Sequence, residues 1–166
     1  NNANFVNRKN HTFLGISTTA TTYYPLFPNS HIENSDLFSY TAPSGSQNTG
    51  FQLKKAGQYK ITYTVNWANV SYNNRINFWC DLVKHSSANT STITTCNGSH
   101  SFSYARDNDF VKYCTNSNSS IIDASANEYI KIRCRVAKND GTFDDNFNGI
   151  RQQQHGSIII EYLGSF

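Results

Sequence analysis

One segment of the chain alternates strictly between large apolar and polar side chains. From residue 59 to residue 67 the large side chains occupy every second position: Tyr59, Ile61, Tyr63, Val65 and Trp67. Polar side chains fill the positions between them: Lys60, Thr62, Thr64 and Asn66. Successive side chains of a β-strand point to opposite faces, so this pattern predicts one strand with a large buried face. The Ala56-Gly57 pair before it is typical of a turn.

The rest of the chain repeats this signal in shorter form. Runs rich in Val, Ile, Phe, Tyr and Thr alternate with Asn, Ser and Gly clusters, which predicts an all-β protein. We predict strands at Thr12–Thr18, Asp36–Tyr40, Gly50–Leu53, Gln58–Trp67, Arg75–Lys84, Ser91–Cys96, Phe110–Cys114, Ser120–Ile122, Glu128–Lys138 and Gly156–Leu163. The segments Thr115–Ser119 and Asn139–Arg151 are predicted loops. About ten short strands in one domain favour a sandwich or jelly roll over residues 11–166, with Asn1–Asn10 as a linker or stalk remnant.

Composition narrows the class of partner. Charged residues make up 15% of the chain and the net charge is +3. Since no run of Lys or Arg occurs, nucleic acid is not expected as a partner. No apolar stretch approaches the roughly 20 residues of a membrane span, so we expect no membrane insertion. A surface of Asn, Ser and Thr suits an extracellular or particle-surface protein, and the absence of Met favours a C-terminal domain of a longer protein.

Four cysteines, Cys80, Cys96, Cys114 and Cys134, lack the Cys-x-x-Cys spacing of a zinc site. Two interpretations stay open: structural disulfides in an oxidising compartment, or free thiols packed in the core. Cys80 and Cys134 share the parity of the apolar residues in their strands, so both are predicted to face the core. The candidate disulfides are Cys96–Cys114, which would staple the polar segment between them, and Cys80–Cys134.

The last strand is apolar on both faces. One side carries Ile158, Ile160 and Tyr162, and the other carries Ile159 and Leu163. A strand of an antiparallel sheet with one wet face should alternate, so both faces of this one need cover. We predict that Ile159 and Leu163 lie in an interface with another subunit. A loop of the same chain covering them is the alternative.

Three separated segments resemble one superfamily. They are Phe51-x-Leu53 with Gly57-x-Tyr59-x-Ile61-x-Tyr63, Asn127–Arg133, and His155–Tyr162. They resemble tumour necrosis factor ligands, complement globular heads, and the C-terminal heads of collagen-like spore-surface proteins and of viral or phage fibres. The resemblance implies an antiparallel jelly roll of about ten strands that forms a tight homotrimer through its inner sheet. It also implies binding of receptors or glycans without catalysis. The polar segment 86–120 departs from the family pattern.

Motifs for catalysis are absent from the sequence. There is no His pair with metal-binding helical spacing, no nucleophile elbow and no phosphate loop. We therefore predict no catalytic residue and no enzyme, with a glycan-active enzyme as the minor alternative. Calcium is the one cofactor considered, because oxygen-rich loops supply its ligands. The candidate ligands are Asp140, Asp144, Asp145 and Asn146, although such loops are more often simple turns.

Aromatic residues in polar loops are the candidates for ligand binding, since aromatic side chains are common anchors of binding sites. Tyr104 lies in one such segment, although capping of the sandwich ends is the plainer interpretation for most loop aromatics. The predicted recognition residues are Tyr72, Asn73, Asn74, Arg75, Phe143 and Phe147.

Three functions follow from these observations. The leading hypothesis is a trimeric head of a longer fibre that attaches a virus, phage or spore to a host receptor or glycan. The second is a secreted ligand resembling tumour necrosis factor or complement. The third is a monomeric carbohydrate-binding β-sandwich module.

Overall fold

The computed structural model describes residues 2–7, 14–15, 23–24, 29–32, 35–41, 50–69, 76–86, 93–105, 113–138, 150–152 and 156–165. Within these ranges all regular secondary structure is β-strand. The strands are β1 (Asn2–Asn7), β2 (Leu14–Gly15), β3 (Tyr23–Tyr24), β4 (Asn29–Ile32), β5 (Phe38–Thr41), β6 (Gly50–Leu53), β7 (Gly57–Asn69), β8 (Ile76–His85), β9 (Thr94–Thr95), β10 (Ser101–Ala105), β11 (Tyr113–Ala124), β12 (Glu128–Lys138), β13 (Ile150–Gln152) and β14 (Gly156–Gly164).

The strands form two antiparallel sheets. The inner sheet has the order β11-β7-β14-β1-β4, and β13 also pairs with β7. The outer sheet has the order β10-β8-β12-β3-β2; β6 pairs with β12 and β5, and β9 pairs with β8. Neighbours in space come from distant parts of the chain, as in β14 beside β7 and β12 beside β6. Such long-range pairing between two packed sheets is the architecture of a jelly roll.

The core lies between the sheets, and β7 supplies its largest side chains. Tyr59, Ile61, Tyr63, Val65 and Trp67 are all fully buried, which confirms the predicted face of this strand. The outer sheet packs alternate residues of β8 and β12 against these side chains. Trp67 stacks on Phe78 across the sandwich, with ring centroids 5.0 Å apart. The residues that the outer sheet contributes are Phe78, Cys80, Leu82, Ile130, Ile132, Cys134 and Val136.

A polar seam joins β11 to the segment between β9 and β10. The hydroxyl group of Tyr63 donates toward the carbonyl oxygens of Cys80 (3.1 Å) and Ser99 (2.8 Å). The Asn118 side-chain amide donates to the carbonyl oxygens of Gly98 (3.1 Å) and His100 (3.2 Å). Buried polar groups need partners, and here the two sheets supply them to one another. The seam therefore closes one flank of the sandwich with hydrogen bonds instead of apolar contacts.

The structure departs from the predicted elements at several places, and strands β3, β4 and β10 lie where no strand was predicted. Thr115–Ser119 is not a loop; it lies inside β11, which pairs with β7 along its whole length. The predicted linker Asn1–Asn10 contains β1, and Asn2–Asn7 pairs with both β14 and β4 in the inner sheet. The segment Gly50–Leu53 forms a strand as predicted. Most of the predicted loop Asn139–Arg151 lies outside the described residues.

Candidate functional site

The first candidate is the outward face of the inner sheet, formed by alternate residues of β11, β7 and β14. We call it the inner-sheet face. Small polar side chains cover most of it and bond across the strands: Thr62 Oγ1 lies 2.8 Å from Ser119 Oγ, and Thr115 Oγ1 donates to Asn66 Oδ1 at 2.8 Å. Lys60 Nζ and Glu161 Oε2 are 3.4 Å apart in the next row. Because these partners satisfy one another within the sheet, the face carries little net charge.

Apolar side chains interrupt this polar surface. Ile159 is half-buried and occupies the centre, opposite Thr62 on β7 and Asn4 on β1. Leu163 is 50% exposed and follows an irregularity in the pairing of β14 with β7. Ile121 is 60% exposed and Tyr113 is 63% exposed, both on β11. The opposite side of β14 faces the core, where Ile158 and Ile160 are fully buried. The structure thus places one side of β14 in the core, and the interface assigned to Ile159 and Leu163 stays a prediction.

The second candidate lies on the outward face of the outer sheet. We call it the aromatic patch: Trp79 on β8 with Phe102 and Tyr104 on β10. Phe102 is directly opposite Trp79 in the strand register, and their ring centroids are 5.8 Å apart. Phe102 is 72% exposed, and the other two rings are each 39% exposed. Large aromatic side chains with this exposure, grouped on a rigid sheet, are typical of binding surfaces.

A charged cluster borders the aromatic patch. Asp81 is buried and accepts hydrogen bonds from Arg133 Nε (2.9 Å) and Arg133 Nη2 (2.5 Å). Arg135 Nη2 lies 3.6 Å from the same carboxylate, and His100 Nδ1 lies 3.7 Å from it. Arg135 also stands directly opposite Trp79 in the register. Burial, and to a smaller extent the neighbouring Arg133, lower the pKa of the Arg135 guanidinium, whereas Asp81 raises it.

A cleft of about 320 Å³ opens where the sheets meet at the end of β11. Lys84 lines it, and its ammonium group already has structural partners: Nζ donates to the Asp123 carbonyl oxygen (2.8 Å) and to Glu128 Oε2 (3.3 Å). Cys96 also lines it, and burial raises the pKa of that thiol to about 11. A thiol with such a pKa stays protonated at neutral pH and is a poor nucleophile.

The cysteines occupy two separate environments. Cys80 and Cys134 are paired in the register of β8 and β12, and their Sγ atoms are 3.2 Å apart in the core. Both face the core as predicted, and all four cysteines are free thiols. The Cys80–Cys134 bond therefore stays a prediction for the oxidised protein.

The predicted Cys96–Cys114 staple is incompatible with the structure. The Cys96 amide donates to the Leu82 carbonyl oxygen, whereas Cys114 hydrogen-bonds to Ser103, which pairs with Phe78. Phe78 and Leu82 are four residues apart on one strand, which is about 13 Å. A disulfide requires Cα atoms within about 7 Å. The sequence showed only that the two cysteines flank a polar segment, and that segment runs through strands instead of looping back.

The other predicted site residues lie outside the described part of the chain. These are the recognition residues Tyr72, Asn73, Asn74, Arg75, Phe143 and Phe147, and the calcium ligands Asp140, Asp144, Asp145 and Asn146. Over the ranges that the structure covers, no group of three or more His, Cys, Asp or Glu side chains could hold a metal ion. The same ranges contain no helix with the length and apolar character of a membrane span.

Tyr104, which the sequence placed in a polar loop, lies on strand β10 in the aromatic patch. Sequence reasoning missed its neighbours Trp79 and Phe102. Trp79 could have been found from its parity, because it alternates with the core residues Phe78 and Cys80. No comparable signal marked Phe102, whose neighbours in the sequence are all polar.

Comparison with known proteins identifies the fold. No protein-family model matches the sequence, and no curated protein matches it significantly. Solved structures do match. The crystal structure of murine APRIL at pH 5.0 aligns with a TM-score of 0.59 and 6% identity, over 96% of this chain and 97% of APRIL. Eiger TNF from S. frugiperda aligns with a TM-score of 0.56 and 11% identity, over 99% of this chain and 93% of the Eiger chain. The chain therefore has the tumour necrosis factor-like jelly-roll fold.

Proposed function

We propose that this chain is a non-enzymatic, homotrimeric head domain of a longer surface or fibre protein, and that it attaches a virus, phage or spore to a host receptor or glycan. Its place is extracellular or on a particle surface. It needs no cofactor for this role; the alternative is a calcium ion bound by the loop 139–149.

The inner-sheet face carries this proposal. It combines an internally satisfied polar surface with the exposed apolar side chains of Ile121 and Leu163 and the half-buried Ile159. Exposed apolar side chains on a flat sheet favour burial against another protein surface. In the superfamily that the sequence resembles, the corresponding sheet lies against neighbouring subunits. The low charge of the face also avoids the desolvation of unpaired charges on assembly.

The mass in solution tests the trimer. Light scattering at dilute concentration is expected to give a mass near three times the 18.7 kDa of the chain. A Glu at residue 163 or residue 159 would place a carboxylate in the interface, so Leu163→Glu and Ile159→Glu are each expected to shift the mass toward the monomer. Phe102→Glu is the matched control, because Phe102 is more exposed than Leu163 but lies on the opposite sheet.

Two results would contradict the proposal. A monomer at all concentrations would remove the trimer and favour a monomeric carbohydrate-binding module. Dissociation by Phe102→Glu, with no effect of the two inner-sheet variants, would place the interface on the outer sheet instead of the inner sheet.

A secreted signalling ligand of the same fold is the second candidate. The match of the whole chain to APRIL and Eiger TNF favours it, because both neighbours align over at least 93% of their own length. Binding of the purified trimer to a cell-surface protein, followed by a cellular response without any particle attached, would distinguish this candidate from a fibre head.

A further inference from the structure

The aromatic patch and the charged cluster form one continuous surface. Along one row of the outer sheet, Phe102 on β10 lies beside Trp79 on β8, and Trp79 lies beside Arg135 on β12. Neighbouring strands are about 4.8 Å apart, so the row spans roughly 10 Å between its outer backbones. That width matches a mono- or disaccharide.

The chemistry of the row is divided into an apolar half and a cationic half. Phe102 and Trp79 offer ring faces on which the C–H face of a pyranose can pack. Arg135 offers a guanidinium whose planar fork matches a carboxylate. The three groups stand on neighbouring strands of a sheet, so the platform is rigid before any ligand arrives, which reduces the entropy cost of binding.

Charge favours an anionic ligand. On this face β12 presents Arg133 and Arg135 in alternate positions, and Asp81 is the acidic side chain that these two residues share. Arg133 holds both carboxylate oxygens of Asp81 at short range, whereas Arg135 reaches only one oxygen at 3.6 Å. Arg135 is the guanidinium nearest the aromatic rings, since it lies opposite Trp79 in the register. One such group next to the platform suits a ligand with one carboxylate better than a polysulfated chain.

We propose that Trp79, Phe102 and Arg135 form a binding site for a glycan whose terminal sugar carries a carboxylate. The rings pack against the sugar, and Arg135 pairs with its carboxylate. The inference deepens the proposed attachment function and rests on it only for its biological purpose, because the site lies within one subunit on the sheet opposite to the inner-sheet face.

Tryptophan fluorescence and ligand-observed NMR test this site with 3′-sialyllactose as the probe. Lactose shares the core of the probe without the carboxylate, and a sulfated heparin disaccharide carries a different anion. The chain has two tryptophans, and Trp67 is fully buried, so a ligand-induced change in emission reports on Trp79. We expect saturable binding of 3′-sialyllactose near the millimolar range and at least about tenfold weaker binding of lactose.

Variants separate the two halves of the site. Phe102→Ala and Arg135→Gln are each expected to weaken binding of 3′-sialyllactose about tenfold or more. Arg135→Lys should retain part of the affinity, since it keeps the charge but loses the fork. The matched controls are Tyr113→Ala, an exposed aromatic on the inner sheet, and Lys60→Gln, an exposed cation on the same sheet. Both controls should bind as the wild type does.

Several outcomes would overturn the inference: no binding of the probe at millimolar concentration, equal binding of lactose, preference for the sulfated disaccharide, or indifference to Arg135→Gln. Association of trimers that Phe102→Ala abolishes would assign the patch to a second copy of the chain instead. A trimer that does not bind the probe would leave the trimeric head standing and remove this ligand. A monomer that binds it would do the reverse.

Discussion

Gly57 and Gly164 pack backbone against backbone at the point where β7 begins and β14 ends. A Cβ atom on Gly57 would overlap the carbonyl oxygen of Gly164 and would lie 2.8 Å from Cε2 of Tyr162. Gly57 also has φ +148°, a backbone conformation that side-chain-bearing residues rarely adopt. The glycine of the Gly-x-Tyr pattern therefore has a physical cause: it lets the end of β14 pack against the start of β7.

Replacing Gly57 tests this contact. Gly57→Ala is expected to lower the free energy of unfolding by about 3 kcal/mol or more, since it adds both a clash and backbone strain. Gly98→Ala is the control, because Gly98 has φ +73° but an added Cβ meets no atom within 4 Å. That variant should lose only about 1–2 kcal/mol. Equal losses in urea unfolding would show that the contact with Gly164 contributes nothing.

The hydroxyl group of Tyr63 is expected to stabilise the polar seam. Tyr63→Phe removes the donor shared by the carbonyl oxygens of Cys80 and Ser99 and also breaks the contact with Ser101 Oγ (2.8 Å). We expect a loss of about 1–3 kcal/mol, because buried acceptors are left without this partner. Tyr162→Phe removes an exposed hydroxyl that donates to the Ala56 carbonyl oxygen at 3.2 Å and should cost less. Chemical denaturation of both variants makes the comparison.

Lys131 predicts a dependence of stability on pH. Burial lowers the pKa of this ammonium from 10.5 to about 8. Between pH 8 and 10.5 the unfolded chain therefore binds more protons at this position than the folded chain, so stability rises with pH across this window. From pH 7 to pH 9.5 the wild type is expected to gain about 1–2 kcal/mol relative to Lys131→Met.

Urea unfolding at the two pH values measures this difference. Lys60→Met serves as the control, because Lys60 is exposed on the inner-sheet face beside Glu161. The wild type and Lys60→Met should follow the same profile. A wild-type profile parallel to that of Lys131→Met would show that Lys131 is solvated in the folded protein.

Oxidation is expected to join Cys80 to Cys134. Their thiols are in contact and 54 positions apart in the chain. Oxidised glutathione would accept the two electrons: one disulfide forms in the protein and two reduced glutathione molecules are released. Burial raises the pKa of Cys134, so the thiolate is scarce and the reaction should be slow in the native protein and faster in mild urea. Once formed, a crosslink over this span is expected to stabilise the fold by about 4 kcal/mol.

Alkylation followed by mass spectrometry identifies the crosslink. Two thiols should remain reactive after oxidation of the wild type, and Cys80→Ser should lose the crosslink while Cys114→Ser keeps it. A bond between Cys96 and Cys114 would contradict the separation of these two residues in the structure.

The faces of the strands could be read from the sequence wherever apolar residues alternate. The buried side of β7, the core positions of Cys80 and Cys134, and the two-sided β14 all follow from a period of two, which is a local property. The pairing of strands is not local. The spacing of Cys96 and Cys114 in the sequence does not show that one lies beside Leu82 and the other near Phe78, four residues apart on β8.

Strand β11 shows the other limit. Its core side carries Asn116, Asn118 and Ser120, so hydrophobic periodicity gives no signal and its middle was predicted as a loop. Asn116 and Asn118 are tolerated because the facing segment accepts hydrogen bonds from their side-chain amides; Asn116 donates to the Phe78 carbonyl oxygen at 3.1 Å. Such compensation depends on the tertiary structure. For the same reason the aromatic patch, which brings β8 and β10 together, could not be predicted.

Strands β1 and β14 lie side by side and antiparallel, with Asn2 opposite Glu161. The first described residue thus lies opposite a position only a few residues before the last described one, so both lie at the same end of the sandwich. A short peptide could join residue 165 to residue 2, and the chain could be reopened at the exposed Ser125-Ala126 turn. A circular permutant built in this way should keep both sheets, and its termini would emerge at a new position for attachment to a surface or a label.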